Sequence, residues 1–187
     1  MYYLIHQVQV KDLIVKKASR WDEIRETQCS VARASTVLGD RWTLLILSDV
    51  FLGARRFEDF QSRLQLSRTT LTSRLKLLET HEVLRRDRYQ DNPPRYEYRL
   101  TQKGRDLYPV ITTILNWGDT YYSDEAGPPV LRAHLDCGHD IQPVLSCPEC
   151  QGAVTTQNIR ARKRDSVPGL PDVERGPVLR TEKASSG

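Results

Sequence analysis

Residues 67–100 read SRTTLTSRLKLLETHEVLRRDRYQDNPPRYEYRL and carry the strongest structural signal in the chain. Leu71, Leu75 and Leu78 recur at intervals of four and three residues, which is typical of one face of a helix. At about 100° per residue the opposite face is polar. Its residues are Thr69, Ser73, Lys76 and Thr80, flanked by Thr70 and Thr72. We therefore predict a helix from Ser67, in the N-cap position, to His81.

The segments on either side of this helix predict a particular order of elements. Phe57, Phe60 and Leu64 are spaced by three and four residues, which indicates a short preceding helix, with Gln65-Leu66 as the turn. After the helix, LRRDRYQ at 84–90 and RYEYRL at 95–100 have the composition of strands, and the DNPP between them is typical of a turn. This order predicts a winged helix–turn–helix in an α+β fold that is mainly α.

The polar face of the predicted helix suits the major groove of DNA, which admits a helix and is read by hydrogen-bonding side chains. The helix candidates are Ser67 at the cap, Arg68, Thr69, Thr70 and Ser73 for base edges, and Arg74 and Lys76 for phosphates. The hairpin over Leu84–Leu100 adds Arg86, Arg88, Arg95 and Arg99 for the DNA backbone or the minor groove. An isolated helix of this kind is more often a solvated surface, and the order of elements is what favours DNA reading.

The positive charge of the chain is concentrated around this helix. Between Arg55 and Arg105 there are 13 Lys and Arg residues against 7 Asp and Glu, a net charge of +6, while the whole chain carries +4. A concentrated basic surface is what binding to phosphates requires. Double-stranded DNA is therefore the predicted partner.

The length of the chain, 187 residues, predicts one main domain with appendages. Residues 1–28 form an N-terminal lead without clear periodicity, residues 29–123 the winged domain with its dimerisation helices, and residues 158–187 a disordered tail. No run of 18 apolar residues and no export signal at MYYLIHQVQV is visible. We therefore expect a cytoplasmic protein that does not span a membrane.

Further helices are predicted before and after the basic segment. Two helices separated by Gly39-Asp40 are expected from Ser30, and the run WTLLILSDVFL of the second is typical of a helix buried at the domain centre. Thr101 fits the cap of a long terminal helix that ends before Gly127. The residues that share a face of that helix are Leu107, Val110, Ile111, Ile114 and Tyr121. Such a helix suits a dimer contact.

Three of the four cysteines lie in one C-terminal stretch, which in a reducing compartment favours metal over disulfide. HLDCGH at 134–139 and CPECQG at 147–152 each set a pair of soft ligands with two residues between them, and tetrahedral zinc takes four such donors. The predicted ligands in a zinc-ribbon-like hairpin over 130–155 are Cys137, Cys147 and Cys150, with His134 and His139 as alternatives for the fourth place. Reduced cysteines without metal are the other interpretation.

The stretch from Cys29 to about Tyr122 resembles the HxlR family of bacterial transcriptional regulators, within the wider MarR-like winged-helix group. The most specific segments are Cys29, GDRW at 39–42, RF at 56–57, LTSRL at 71–75, PRYEY at 94–98 and LT at 100–101. The resemblance implies a homodimer on a pseudo-palindromic operator, and we expect a repressor, associated with the bacterial nucleoid through DNA. Ser30 and Asp40 depart from the family pattern, which often has Pro after the cysteine and a second Gly or a Lys near position 40.

The resemblance also places Cys29 where several family members have a cysteine similar to a thiol switch for electrophiles or oxidants. A helix start would favour its thiolate, and a small buried side chain is the alternative interpretation.

The alternative function for the whole protein is a protein-interaction scaffold that docks through the winged domain and the Cys/His hairpin. An enzyme is not expected, because the sequence shows no nucleophile with a base partner, no phosphate-binding glycine loop and no open metal site. The sequence names no effector.

Overall fold

The computed structural model describes residues 29–159, which form six helices and two strands. In chain order they are α1 (Ser30–Leu38), α2 (Arg41–Phe51), α3 (Phe57–Leu64), α4 (Arg68–Thr80), β1 (Leu84–Gln90), β2 (Arg95–Leu100), α5 (Gln102–Arg105) and α6 (Tyr108–Tyr122). The predicted lead at 1–28 and the predicted tail from residue 160 onward lie outside the described residues. The chain divides into two compact units between Ile141 and Gln142, and these helices and strands belong to the first.

The first two helices are separated by Gly39 and Asp40, as the sequence predicts. Asp40 caps α2, because its Oδ1 accepts hydrogen bonds from the backbone N–H groups of Trp42 and Thr43, at 3.1 and 3.3 Å. Within residues 29–159, no helix has both the length and the apolar character needed to cross a bilayer.

Helix α2 lies at the centre of the core, but it is not buried on every side. Its inward residues are Thr43, Ile46, Leu47 and Val50, all fully buried. Leu45 and the C-cap residue Leu52 are 44% and 45% exposed, so the helix is buried at the domain centre, as predicted, but keeps one exposed side. An apolar run without a period does not show which of its sides lacks a neighbour within the chain.

Helices α3 and α4 form the helix–turn–helix at the predicted positions. Asp59 stabilises the start of α3, since its Oδ2 accepts hydrogen bonds from the backbone N–H groups of Arg55 and Arg56, at 3.1 and 2.9 Å. Gln65 ends α3 in the left-handed conformation, with φ of 51°. The leucine face of α4 is fully buried, as predicted, at Leu71, Leu75 and Leu78.

Strands β1 and β2 form an antiparallel hairpin with the bounds that the sequence predicts. Leu84 lies opposite Leu100, and both strands contribute to the core through the buried Leu84 and Tyr98. The backbone N–H of Tyr98 donates to the Arg55 carbonyl at 2.7 Å. This bond fixes the hairpin beside the start of α3.

The region after the hairpin differs from the predicted single helix. Thr101 Oγ1 accepts a hydrogen bond from the backbone N–H of Gly104 at 3.1 Å, and it caps only the four-residue α5. Helix α6 begins separately, with Pro109 in its first turn, where a missing N–H costs no helical bond. It ends at Tyr122, five residues before Gly127, and buries Ile111 against α2.

Candidate nucleic-acid interface

One face of α4 is polar, exposed and unengaged. Its side chains make no hydrogen bond or ion pair within residues 29–159. They are Thr69, Thr72, Ser73 and Lys76. The sequence placed Thr72 only at the flank of this face, although its helical phase could have included it. Because their donors and acceptors have no partner in the part of the chain that the structure describes, these groups are available to the edges of a ligand in front of the helix.

The start of α4 is stabilised by two of the predicted site residues. Ser67 Oγ accepts a hydrogen bond from the backbone N–H of Thr70 at 3.1 Å, and the two hydroxyl oxygens lie 2.9 Å apart. These hydroxyls are therefore committed to the helix cap. Arg68 is exposed, and its guanidinium lies 4.9 Å from the ring centroid of Phe57, which orients it at the end of the helix.

Arg74, which the sequence assigns to a phosphate, is bound within the domain. Its Nε lies 2.9 Å from Oδ1 of Asp40, and its Nη2 donates to Oδ2 of Asp40 at 3.1 Å. One hydrogen bond and one close ion-pair contact thus connect Arg74, and with it α4, to the start of α2. Lys76 is left as the exposed cation of the polar face.

Arg88 and Arg99 of the hairpin are engaged by nearby carboxylates. Arg88 lies 3.1 Å from the carboxylate of Asp91 and donates to the Asp91 carbonyl at 2.9 Å, which braces the turn. Arg99 donates to Glu97 Oε2 at 3.1 Å. Exposed pairs of this kind contribute about 0–1 kcal/mol, so a phosphate can compete with either carboxylate.

A cleft of about 180 Å³ lies between the start of α4 and the hairpin. It brings together three predicted site residues, Arg68, Arg86 and Arg95. Arg86 is oriented by Tyr96, whose ring centroid is 4.3 Å from the guanidinium, and its Nε also lies 3.6 Å from Oε1 of Glu79. Arg95 is exposed and has no ion-pair partner among residues 29–159. Because Glu58 is the acidic residue in this lining, the cations outnumber it, and the cleft suits an anionic group such as a phosphate.

Two groups beside the cleft have shifted pKa values. Burial raises the pKa of Tyr98, so this cleft residue stays a neutral phenol over a wide pH range. The backbone N–H groups of Arg56 and Arg55 lower the pKa of Asp59. Asp59 therefore remains ionised and holds the two residues that lead into α3.

Cys29 is the N-cap residue of α1, as its predicted position at a helix start requires. Its side chain is half-buried and makes no capping hydrogen bond. The thiol is thus close to the N–H groups of the first helical turn without being committed to them.

The predicted zinc ligands lie in two short turns, the first knuckle (132–141) and the second knuckle (145–154). In the first, His134 Nδ1 lies 3.4 Å from Cys137 Sγ. In the second, the backbone N–H groups of Cys150 and Glu149 lower the pKa of the Cys147 thiol. Within residues 29–159, no group of three or more His, Cys, Asp and Glu side chains is placed to hold a metal ion, so the structure leaves the predicted zinc site as a prediction.

A helix–turn–helix with an exposed polar second helix and an adjoining hairpin defines the winged helix–turn–helix class, the fold of DNA-binding transcriptional regulators. The structure is similar to that of PA1607, a candidate transcription factor, with a TM-score of 0.69 and 30% identity over 76% of this chain and 99% of that one. It is also similar to PA1374, a candidate transcription factor from Pseudomonas aeruginosa, with a TM-score of 0.53 and 26% identity over 74% and 94% of the two chains.

Sequence comparison narrows this class to one family. Residues 37–126 match the family described as HxlR-like helix-turn-helix. An uncharacterised HTH-type transcriptional regulator of Mycobacterium tuberculosis H37Rv is 42% identical over 130 residues, which cover 70% of this chain and 82% of the relative. One of Synechocystis is 36% identical over 99 residues, covering 52% and 73%. The chain belongs to the HxlR-like family and is a transcriptional regulator, which confirms the resemblance seen in the sequence.

Proposed function

We propose that this protein is a repressor that binds a specific sequence of double-stranded DNA as a homodimer. The observation that carries the proposal is the unengaged polar face of α4 beside a cleft lined by three arginines. A helix of this kind in the major groove presents small donors and acceptors to base edges, while the neighbouring cations bind the backbone.

The contacts that we propose divide between base edges and phosphates. Thr69, Thr72 and Ser73 face the bases, because they are short, exposed and unpaired among the described residues. The phosphates are bound by Lys76 and by the cleft arginines Arg68, Arg86 and Arg95. Arg74 acts as a positioning residue, because its guanidinium is paired with Asp40.

An exposed apolar stripe on α6 supports the proposed homodimer. Its residues are Val110, Ile114, Trp117 and Tyr121, which are 43%, 45%, 55% and 69% exposed. Their intervals of four, three and four residues place them on one helical face. A contiguous apolar face of this kind marks an interaction site, and a twofold pair of winged domains would match two half-sites about 34–36 Å apart.

Thiol control through Cys29 is the regulatory part of the proposal. A half-buried thiol at the N-cap of α1, without a capping hydrogen bond, is reachable by small electrophiles. Diamide should weaken operator binding by the wild type and leave Cys29→Ser unaffected. Equal responses of the two proteins would remove Cys29 from the mechanism.

The test of DNA binding uses the full-length protein and a labelled duplex from upstream of its own gene. Fluorescence anisotropy should show affinity that falls linearly with salt on logarithmic axes, and an unrelated duplex at the same concentration as the labelled one should not compete. A reporter fused to the same region should be more active in a strain that lacks the protein. A protein-interaction scaffold would show no salt-dependent binding to the duplex.

A further inference from the structure

The N-terminal half of the polar face of α4 carries only small hydroxyl side chains. Thr69, Thr72 and Ser73 lie within the first six residues of the helix, which begins at Arg68, and Lys76 follows about one turn later. In a helix–turn–helix, the N-terminal residues of the second helix are the ones that contact base edges. The base-reading positions of α4 are therefore two threonines and one serine.

These positions carry no side chain of the kind that selects guanine or adenine by a pair of hydrogen bonds. Asn and Gln, which pair in this way with adenine, do not occur in α4, whose sequence is RTTLTSRLKLLET. Arginine, which pairs with guanine, is engaged elsewhere, because Arg74 is bound to Asp40 and the guanidinium of Arg68 lies 4.9 Å from the Phe57 ring centroid. Base selection by α4 thus depends on what a threonine or a serine can recognise.

Each of the two threonines presents a methyl group together with a free hydroxyl. A helical threonine often donates its hydroxyl to the preceding turn, as Thr113 Oγ1 does to the Pro109 carbonyl at 2.8 Å. Thr69 and Thr72 are exposed and make no such bond within residues 29–159. Both the donor and the methyl group of each side chain are therefore available to a base.

This pair of groups matches thymine in the major groove. Thymine presents an O4 acceptor next to a C5 methyl group, whereas cytosine presents an amino donor and has no methyl group. A threonine hydroxyl donates to O4 while its methyl packs against the C5 methyl of the same base. Removing one methyl group from water in such a contact changes affinity about fourfold.

The spacing of the two threonines also fits the stacking of base pairs. Three residues advance about 4.5 Å along a helix, and successive base pairs are about 3.4 Å apart. One orientation of α4 therefore brings the methyl groups of Thr69 and Thr72 to neighbouring base pairs. Ser73, on the same face, has a hydroxyl and no methyl group, so it has no such preference for thymine over cytosine.

We propose, on the basis of the proposed DNA-binding function, that Thr69 and Thr72 are specificity-determining residues and that each packs its methyl group against the C5 methyl of one thymine. Every half-site of the operator then contains two such thymines on neighbouring base pairs. Cytosine at either position is disfavoured, because it offers neither the acceptor nor the methyl group.

The test uses the full-length protein and replaces thymine with uracil, which removes only the C5 methyl group from the DNA. Duplexes that the protein selects from a pool with a random core provide the half-sites. Each thymine of one half-site is then replaced in turn, and fluorescence anisotropy measures the dissociation constant. The wild type should bind about fourfold more weakly when either contacted thymine is replaced. Because this substitution is in the DNA, the folding of a variant does not enter the measurement.

Thr72→Ser completes a double-mutant cycle, because serine keeps the hydroxyl and lacks the methyl group. It should bind the thymine duplex about fourfold more weakly, and uracil at its own contact position should cause no further loss. Thr69→Ser should show the same coupling to the other thymine. Thr80→Ser, about 12 Å further along α4 than Thr72, is the matched control and should respond to uracil as the wild type does.

The possible failures are distinguishable from one another. Selected half-sites without thymine, uracil duplexes that bind as tightly as thymine duplexes, or uracil and serine effects that simply add would each overturn the thymine contact and leave DNA binding intact. An absence of salt-dependent binding to any duplex would instead refute the DNA-binding function and, with it, this contact.

Discussion

At the scale of single residues, Asp40 joins the start of α2 to the middle of α4. Its Oδ1 caps α2, and both of its carboxylate oxygens contact Arg74 of α4. Asp40→Ala removes the cap and the ion pair, and we expect the free energy of unfolding to fall by about 1–3 kcal/mol. Asp40→Asn keeps a capping oxygen and should lose less. Urea denaturation measures both, and an alanine variant as stable as the wild type would contradict this role.

Arg74 and Lys76 are two cations of one helix with different expected roles. Lys76→Ala should reduce the salt dependence of DNA binding by about one unit of slope without changing stability, because Lys76 is exposed and faces a phosphate in our proposal. Arg74→Ala should lower stability and leave the slope unchanged, because its charge is neutralised by Asp40. Lys103→Ala, an exposed lysine of α5, is the matched control. Equal slopes for Lys76→Ala and the control would remove Lys76 from the interface.

Asp59 gives the unfolding free energy a defined pH dependence. Backbone N–H donors hold its folded pKa below the ordinary value of 3.8, so its contribution is fully present above that value and is lost as the pH falls through the folded pKa. The stability difference between the wild type and Asp59→Ala should therefore be largest near neutral pH and shrink in acid. Denaturation curves at several pH values measure it, and a difference that grows in acid would reverse the assignment.

At the scale of elements, local sequence patterns predict a helix or strand correctly where the residues that pair or pack together lie nearby in the chain. The bounds of α3, the leucine face of α4 and both strands of the hairpin agree with the sequence. The pairing of Arg74 with Asp40 was not predictable, because it joins residues 34 positions apart through the packing of α4 on α2. The break between α5 and α6 was also missed, because Thr101 caps a helix whose length the pattern does not limit.

Gly104 shows how closely α5 packs on the base of the hairpin. A Cβ at this position would overlap the carbonyl oxygen of Val83 and lie 2.9 Å from Leu100 Cδ2. Gly104→Ala should therefore cost about 1–3 kcal/mol of unfolding free energy. Gly118→Ala in α6 is the control, because its Cβ meets no described atom within 4 Å and should stabilise the helix by up to about 1 kcal/mol. Thermal unfolding compares them, and equal effects would refute the close packing.

At the scale of the whole molecule, the proposed DNA surface and the proposed dimer surface lie on separate helices. The polar face of α4 contains no residue of the apolar stripe on α6, and the buried Ile111 of α6 faces α2. A substitution in the stripe should therefore change assembly without changing any group that contacts DNA. Assembly and base reading can be tested independently for this reason.

The double variant Ile114→Glu and Trp117→Glu should be a monomer, because pairing would bury two carboxylates from each chain in an apolar contact. Size-exclusion chromatography with light scattering measures its mass, and the wild type should be a dimer. The variant should bind a duplex with two half-sites much more weakly, while binding to a single half-site should change little. Val144→Glu, at an apolar position that is 82% exposed outside α6, is the matched control. A double variant that remains dimeric would place the interface elsewhere, and a monomer with unreduced operator binding would exclude dimerisation from the mechanism.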